Sequence, residues 1–195
     1  MRDRLLDIAT GLFAAKGFAR VSFVEIAAAA GVDDNLPAEL FATEEKLYEI
    51  VLENQFGLYR CRMEDSLQGN DVPTRKIELM AQTMSDLHRQ LPHFFPLYYR
   101  ELLNPSKFFD PIVKKNIRHV AFLSDNNIAR GIQKNTFKHG INPAYATVFL
   151  MGMFHYNFLV TPLAETLLPN PGEYEEYRDQ ALKVFLTGLK KEAET

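Results

Sequence analysis

The side chains here that could break bonds or hold a metal are five histidines, one cysteine and 25 carboxylates. A helical metal site needs two ligands one turn apart, as in His-x-x-x-His or Glu-x-x-His. His88, His93, His119, His139 and His155 offer neither spacing. The lone Cys61 excludes an intramolecular disulfide and an all-cysteine site, and it suits a reducing compartment. Its neighbours Arg60 and Arg62 could lower the thiol pKa, although a passive thiol is the simpler reading. There is no glycine-rich phosphate loop and no Gly-x-Ser-x-Gly elbow. Asp3 with Asp7, and Glu44 with Glu45, fall at helix starts and read as surface acids rather than an acid/base pair. The expectation is a protein that is not an enzyme, with no metal and no cofactor.

The chemistry left is recognition. Asp33, Asp34, Asn35 and Glu39 form an acidic, polar cluster just past the tight turn at Ala30-Gly31-Val32. A second set is aromatic. Phe95, Tyr98 and Tyr99, with His119, Phe122, Met151, His155 and Phe158, could line a mostly apolar cavity with a few polar tips. Such a cavity suits an apolar or aromatic molecule better than a polyanion, and the same side chains could equally fill a core.

Helices must position both sets. The chain of 195 residues is 47% hydrophobic and 24% charged, a soluble globular balance, and its net charge of −3 excludes a generally basic nucleic-acid coat. Leu5, Ile8, Leu12 and Phe13 share one face of a helix over 2–16, which Gly17 ends. Ser22 and Glu25 form a capping box that opens a short helix, and Gly31 stops it. Pro37 leaves two starts for a third helix. Capped by Asp33, the helix would lose its first hydrogen bond at Pro37; capped by Asn35, Pro37 sits in the tolerated first turn. Thr43, followed by Glu44 and Glu45, starts a longer helix to about Leu67, and 69–73 is the clearest break.

Beyond that break the pattern predicts helices at about 74–91, 93–103, 109–138, 143–166 and 173–192, separated by Pro92, Asn104-Pro105, His139-Gly140, Asn142-Pro143 and Pro169 to Gly172. No alternating segment is long enough for a strand. The expected fold is all-α with about nine helices: a three-helix helix-turn-helix unit at 1–48 and a larger helical domain at 49–195.

Residues 140–164 contain no Asp, Glu, Lys or Arg, and the 18 residues between Pro143 and Pro162 reach the lower limit for a membrane span. His155 and Asn157, and the lack of flanking Lys/Arg asymmetry, favour a buried or subunit-interface helix. Tyr145, Phe149 and Phe154, with Tyr177, Ala181 and Phe185 of the last helix, could build a four-helix interface between two copies or else close the monomer core. Charges at Arg2, Asp3, Arg4 and Asp7 argue against a secretory signal, so a cytoplasmic protein without a membrane partner is expected.

Leu6, Ala9, Leu12-Phe13, Lys16-Gly17-Phe18, Ser22, Ile26-Ala27, Ala30-Gly31-Val32, Phe41, Glu45 and Leu47 follow one another in an order that resembles the N-terminal region of TetR-family transcriptional regulators. The likeness covers about 50 residues, and the rest is similar in its all-helical layout. The resemblance implies a homodimeric regulator, most simply a repressor, that binds operator DNA through its N-terminal units and is released by a small effector held further along the chain. Carried onto this sequence, it makes Arg20, Ser22, Asp33, Asp34, Asn35, Leu36, Glu39 and Lys46 the DNA-facing residues.

The sequence departs from the family in charge. Residues 1–48 hold five basic and eight acidic side chains, and between Val21 and Glu45 there are six acids and no Lys or Arg. Phosphate neutralisation supplies much of the affinity for DNA, so a DNA-binding unit should be the basic part of its chain. Two readings stay open. The acids and Asn35 face a major groove while backbone amides and the few cations hold phosphates, or the helix-turn-helix is a scaffold in a ligand-binding or protein-interaction module that no longer binds DNA.

Overall fold

The computed structural model describes residues 1–69, 72–170 and 173–191. Asn70 and Asp71 of the expected break, Pro171 and Gly172 of the last loop, and Glu192 at the expected end of the final helix lie outside the described residues. Ten α-helices run along the described residues: α1 (Arg2–Lys16), α2 (Phe23–Ala30), α3 (Leu36–Phe41), α4 (Glu44–Ser66), α5 (Pro73–Gln90), α6 (Phe94–Leu103), α7 (Lys115–Gln133), α8 (Pro143–Leu159), α9 (Ala164–Leu167) and α10 (Tyr174–Leu189). Among those residues there is no strand, only a single antiparallel bridge between Phe137 and Lys190. The fold is all-α, as expected.

Two expected helices differ in detail. The 109–138 helix opens with a π turn, Phe109–Lys114, and α7 stops at Gln133. Asn135 takes φ 57°, and the amides of Thr136 and Phe137 both donate to the Gly131 carbonyl, at 2.9 and 3.1 Å. This folds the fully buried Phe137 ring over Gly131, where a Cβ would stand 2.1 Å from the ring. The 143–166 helix breaks after Leu159, and α9 follows a 3-10 turn, Thr161–Leu163. Pro162 has no amide for the Phe158 carbonyl, and the Thr161 hydroxyl donates to that carbonyl instead, at 2.9 Å. α8 and the helical residues after it meet at 60°, and among the described residues no single helix is long and apolar enough to cross a membrane.

The chain divides into two compact units, Met1–Arg60 with Leu91–Ile117, and Cys61–Gln90 with Arg118–Thr195. In the first, Leu5, Ala9 and Phe13 of α1 are fully buried with Ile26 and Ala27 of α2 and Leu47, Val51 and Leu52 of α4. Its aromatic rings pack in pairs: Phe18 stacks on Tyr48 at 5.0 Å and Tyr59 on Phe94 at 4.3 Å. Each such pair adds about 0.5–1.5 kcal/mol beyond burial. In the second unit α5, α8 and α10 pack on one another, with Ile77, Met80, Met84, Leu150 and Phe154 in the core. Two buried polar pairs lie there, Thr147 Oγ1 donating to Ser124 Oγ at 2.9 Å and Asn127 Nδ2 to the Pro73 carbonyl at 3.0 Å.

Candidate functional site

The helix-turn-helix is built from local hydrogen bonds. Ser22 caps α2, its hydroxyl accepting from the Glu25 amide at 3.3 Å. The reciprocal half of the expected box is absent, because the Glu25 carboxylate pairs with Lys16. A different carboxylate serves that end of α2: Glu44 Oε1 accepts from the Phe23 amide at 3.3 Å. Gly31 ends α2 in the left-handed region (φ 62°, ψ 44°), which lets the Val32 amide reach the Ala27 carbonyl at 3.1 Å. Of the two possible starts for α3, the chain takes Asn35, with Pro37 buried in the first turn. Asp33 Oδ1 accepts from the Asn35 amide at 2.9 Å, an Asx turn that bends the chain into α3.

α3 is six residues long. Asp33, Asp34, Asn35 and Glu39 are exposed around it, and Leu36 is half-buried. It ends at Ala42, where φ 65° and ψ −50°, with the Thr43 amide 2.8 Å from the Phe41 carbonyl, make a γ-turn of the strained hand. The Thr43 hydroxyl then accepts from the Lys46 amide at 3.1 Å and starts α4.

Four of the five cations in residues 1–48 have partners inside the unit. The Arg2 guanidinium lies 5.0 Å from the Phe41 ring centroid. Arg4 donates to the Ala30 carbonyl at the end of α2, at 2.8 Å. Lys16 holds Glu25, and Lys46 holds Glu49 at 2.7 Å, a bond that keeps the Lys46 pKa above its ordinary value. Arg20 stands exposed at the end of the 3-10 turn Phe18–Arg20.

The C-terminal end of α6 and the segment just after it grip this unit at three places. Arg100 donates to the Ala14 carbonyl at 2.9 Å and to that of Ala15, capping α1. Glu101, only 2% exposed, accepts from the Tyr48 hydroxyl at 2.7 Å and from the Ser106 amide and hydroxyl at 3.1 and 3.0 Å. Burial first, and then the Glu101 carboxylate, hold the Tyr48 hydroxyl far above the ordinary phenol range, so it stays a donor. Lys107 pairs with Glu45 at 2.6 Å. Nothing in the sequence singled out Arg100 and Glu101, because a basic-acidic pair after an aromatic run has no signature of its own.

The expected effector residues fall into separate places. Phe95, Tyr98 and Tyr99 belong to the first unit's aromatic cluster with Phe94 and Phe56. Burial pushes the Tyr99 hydroxyl up to about 12 and raises that of Tyr98. Met151, His155 and Phe158 share a face of α8 in the second unit, where the Phe158 ring stacks on His88 of α5 and Tyr174 lies beside both rings. Burial lowers both imidazoles to about 4, His155 also through its neighbour His88, so each is neutral at pH 7. His119 pairs with Glu64, and Phe122 is 60% exposed, so neither lines the interior of its unit.

The expected interface residues also separate. Tyr145 and Phe149 are exposed, and with Val148, Gly152, Tyr156 and Leu159 they form one stripe along α8. Phe154, Ala181 and Phe185 are buried within their own unit. The Tyr177 hydroxyl donates to the Met153 carbonyl at 2.6 Å, tying α10 to α8. Between these two helices runs an apolar groove of about 440 Å³, lined by Tyr145, Phe149, Met153, Val184, Phe185 and Gly188 among others.

No known protein family's sequence profile matches the chain, and no curated protein is similar to it in sequence. Its fold, by contrast, is similar to many solved structures. A ketosteroid transcriptional regulator of Mycobacterium tuberculosis superposes with a TM-score of 0.80 at 17% identity, over 98% of this chain and 95% of the other. A TetR-family regulator of Thermus thermophilus gives 0.79 at 18% identity over 98% of both chains. The regulator FadR of Bacillus subtilis, solved with stearoyl-CoA, gives 0.76 at 16% identity over 96% and 99%. The chain has the fold of TetR-family transcriptional regulators, which the sequence resemblance implied.

Proposed function

We propose that this chain is a homodimeric, cytoplasmic transcriptional regulator of TetR type, a repressor that leaves its operator when a small apolar or aromatic effector binds. Residues 1–48 would be the DNA-binding unit and 49–195 the effector-binding and dimerisation domain. The observation that carries the reading is the helix-turn-helix itself: a Ser22-capped α2, a Gly31 turn, and an α3 that, with Asp33, Asp34 and Asn35 before it, leaves those three residues and Glu39 exposed toward a groove. The exposed stripe on α8 supports dimerisation. Burying a side chain such as Tyr145 or Phe149 contributes about 1.5–3 kcal/mol, and Gly152 in the middle of the stripe lets a second helix approach. The stearoyl-CoA bound by one structural neighbour supports an effector with a large apolar part.

The grip of α6 supplies a route for release. Arg100 caps α1 and Glu101 holds α4 through Tyr48, so a shift of α6 on effector binding would carry both helices and change the spacing of the paired units.

One observation favours a second reading, a dimeric ligand-binding or protein-interaction module that no longer binds DNA. The unit is acidic, and four of its five cations are engaged internally. A salt titration of binding to the DNA flanking the protein's own gene, beside a scrambled duplex, separates the two. Preference for the flanking DNA with a shallow salt slope is expected of a regulator that makes few phosphate contacts. A folded dimer that binds neither duplex at low salt would overturn the regulator reading.

A further inference from the structure

The first unit holds a cavity of about 260 Å³ beside the turn that follows α1. It is lined by residues 16–20, by Tyr48 of α4, and by Arg100, Glu101, Asn104 and Ser106 at and after the end of α6. Three cations, Lys16, Arg20 and Arg100, stand in this lining against the single carboxylate of Glu101. That is a local surplus of positive charge in a unit whose residues 1–48 are acidic. None of the residues expected to hold the effector is part of it.

Most acceptors around the cavity are taken. The Glu101 carboxylate accepts from the Tyr48 hydroxyl and from the Ser106 amide and hydroxyl, and the Ser106 hydroxyl itself accepts from the Phe108 amide at 3.2 Å. At the end of α1 the Phe13 carbonyl accepts from the Gly17 amide, and Arg100 covers the carbonyls of Ala14 and Ala15. The Gly17 and Phe18 carbonyls accept from the Arg20 and Val21 amides, at 3.3 Å each. The donors are freer. Among the described residues no hydrogen bond or ion pair engages the exposed Arg20 guanidinium. Arg100 spends Nε and Nη2 on α1 and leaves Nη1 over Gly17, where a Cβ would stand 3.3 Å from it. Lys16 gives one N–H to Glu25 and keeps two. The Asn104 amide carries both kinds of group and can turn either one inward. Apolar surface comes from Ala19 and from the stacked rings of Phe18 and Tyr48.

We propose that this cavity binds a small carboxylate carried on a single flat ring. An ionised carboxylate brings acceptors and no donor, which answers the donors left over, and the planar guanidinium fork of Arg20 takes it in a bidentate pair. Arg100 Nη1 and the Asn104 amide donate to it as well, and the ring lies against Phe18 and Tyr48. The volume of about 260 Å³ falls below the roughly 300–1,000 Å³ of drug-sized pockets, so the body is one ring and not several. Binding here is independent of the proposed effector and needs no DNA.

Isothermal titration of the full chain at pH 7 and fixed salt with sodium benzoate, and in parallel with the uncharged benzamide, tests the proposal. Saturable binding of one benzoate per chain is expected, with benzamide about tenfold weaker or more, the factor that about 1.4 kcal/mol makes. Arg20→Gln removes the charge from an exposed side chain and leaves the fold intact; it is expected to weaken benzoate by a similar factor. Asn104→Asp keeps the shape, sets a negative charge beside the ligand, and is expected to do the same while the far-UV dichroism stays native. Absence of saturable binding, equal binding of the two probes, or an unchanged benzoate affinity in either variant would each overturn it.

Discussion

Replacing Asp33 by Ser and Asp34 by Lys tests whether the acidic segment faces DNA. Both side chains are exposed, and the only bond at stake is the one from the Asn35 amide to Asp33 Oδ1, which a Ser hydroxyl can replace. The fold should therefore survive. The change raises the net charge at the entrance to α3 by three, removing two negative charges and adding one positive. A carboxylate about 7 Å from a phosphate costs about 0.6 kcal/mol in water, and a lysine ammonium about 4 Å away gains about 1 kcal/mol. Removing two repulsions and adding one attraction gives about 2 kcal/mol, or about thirtyfold in affinity for generic DNA at low salt. The added phosphate contact should also steepen the plot of log affinity against log salt by about 0.9. Fluorescence anisotropy of a labelled duplex between about 50 and 200 mM salt measures both quantities. If neither affinity nor slope changes, α3 does not meet the duplex, and the placement of Asp33, Asp34, Asn35 and Glu39 at a groove is wrong.

Gly131→Ala should cost about 3 kcal/mol or more in urea denaturation, because the new methyl overlaps the buried Phe137 ring; an unchanged midpoint would show that the ring is not held there. Ala42→Gly should stabilise the chain by about 1 kcal/mol, since glycine takes the γ-turn at φ 65° without strain, and a lower midpoint would refute it. Tyr48→Phe removes a donor from the buried Glu101 carboxylate and should cost about 1.5–3 kcal/mol; a loss under about 0.5 kcal/mol would mean the bond is not formed. His88 and His155 titrate near 4 in the folded chain, below the ordinary value of 6.5, so the unfolded chain binds the extra protons. Their contribution is present above pH 6.5 and is lost as pH falls toward 4, about 2 kcal/mol by pH 5 for the buried His155 and less for the half-buried His88, which water screens. Urea midpoints that stay flat from pH 7 to 5 would contradict that burial.

The N-terminal helices were legible in the sequence because their signals are local. Ser22 and Gly31 bound α2 through bonds made within four residues of themselves, and Asn35 with Pro37 does the same for α3. The later boundaries were set by contacts the sequence does not display. α7 ends early because Phe137 returns to Gly131, and the expected 143–166 helix breaks where Pro162 withdraws a donor. Interface residues split for a related reason. Tyr145, Phe149 and Phe154 are all apolar on α8, but hydrophobicity nearly all round a helix does not say which side its own unit covers, and Phe154 is on the covered one. Arg100 and Glu101 escaped notice because their partners are 86 and 53 residues away.

The acidity of the N-terminal unit follows from how its charges are used. Glu44 opens α4, and there it accepts from the Phe23 amide. A lysine at that position could not, and the amide at the start of α2 would lose its partner. Arg4 is likewise committed to the last carbonyl of α2 and Lys16 to Glu25. The charges that hold α1, α2 and α4 together are thus the ones a phosphate backbone would need, and Arg20 remains exposed. A unit of this kind can hold a duplex only with backbone amides, Arg20 and direct base contacts from α3, which makes its affinity small and its dependence on salt shallow.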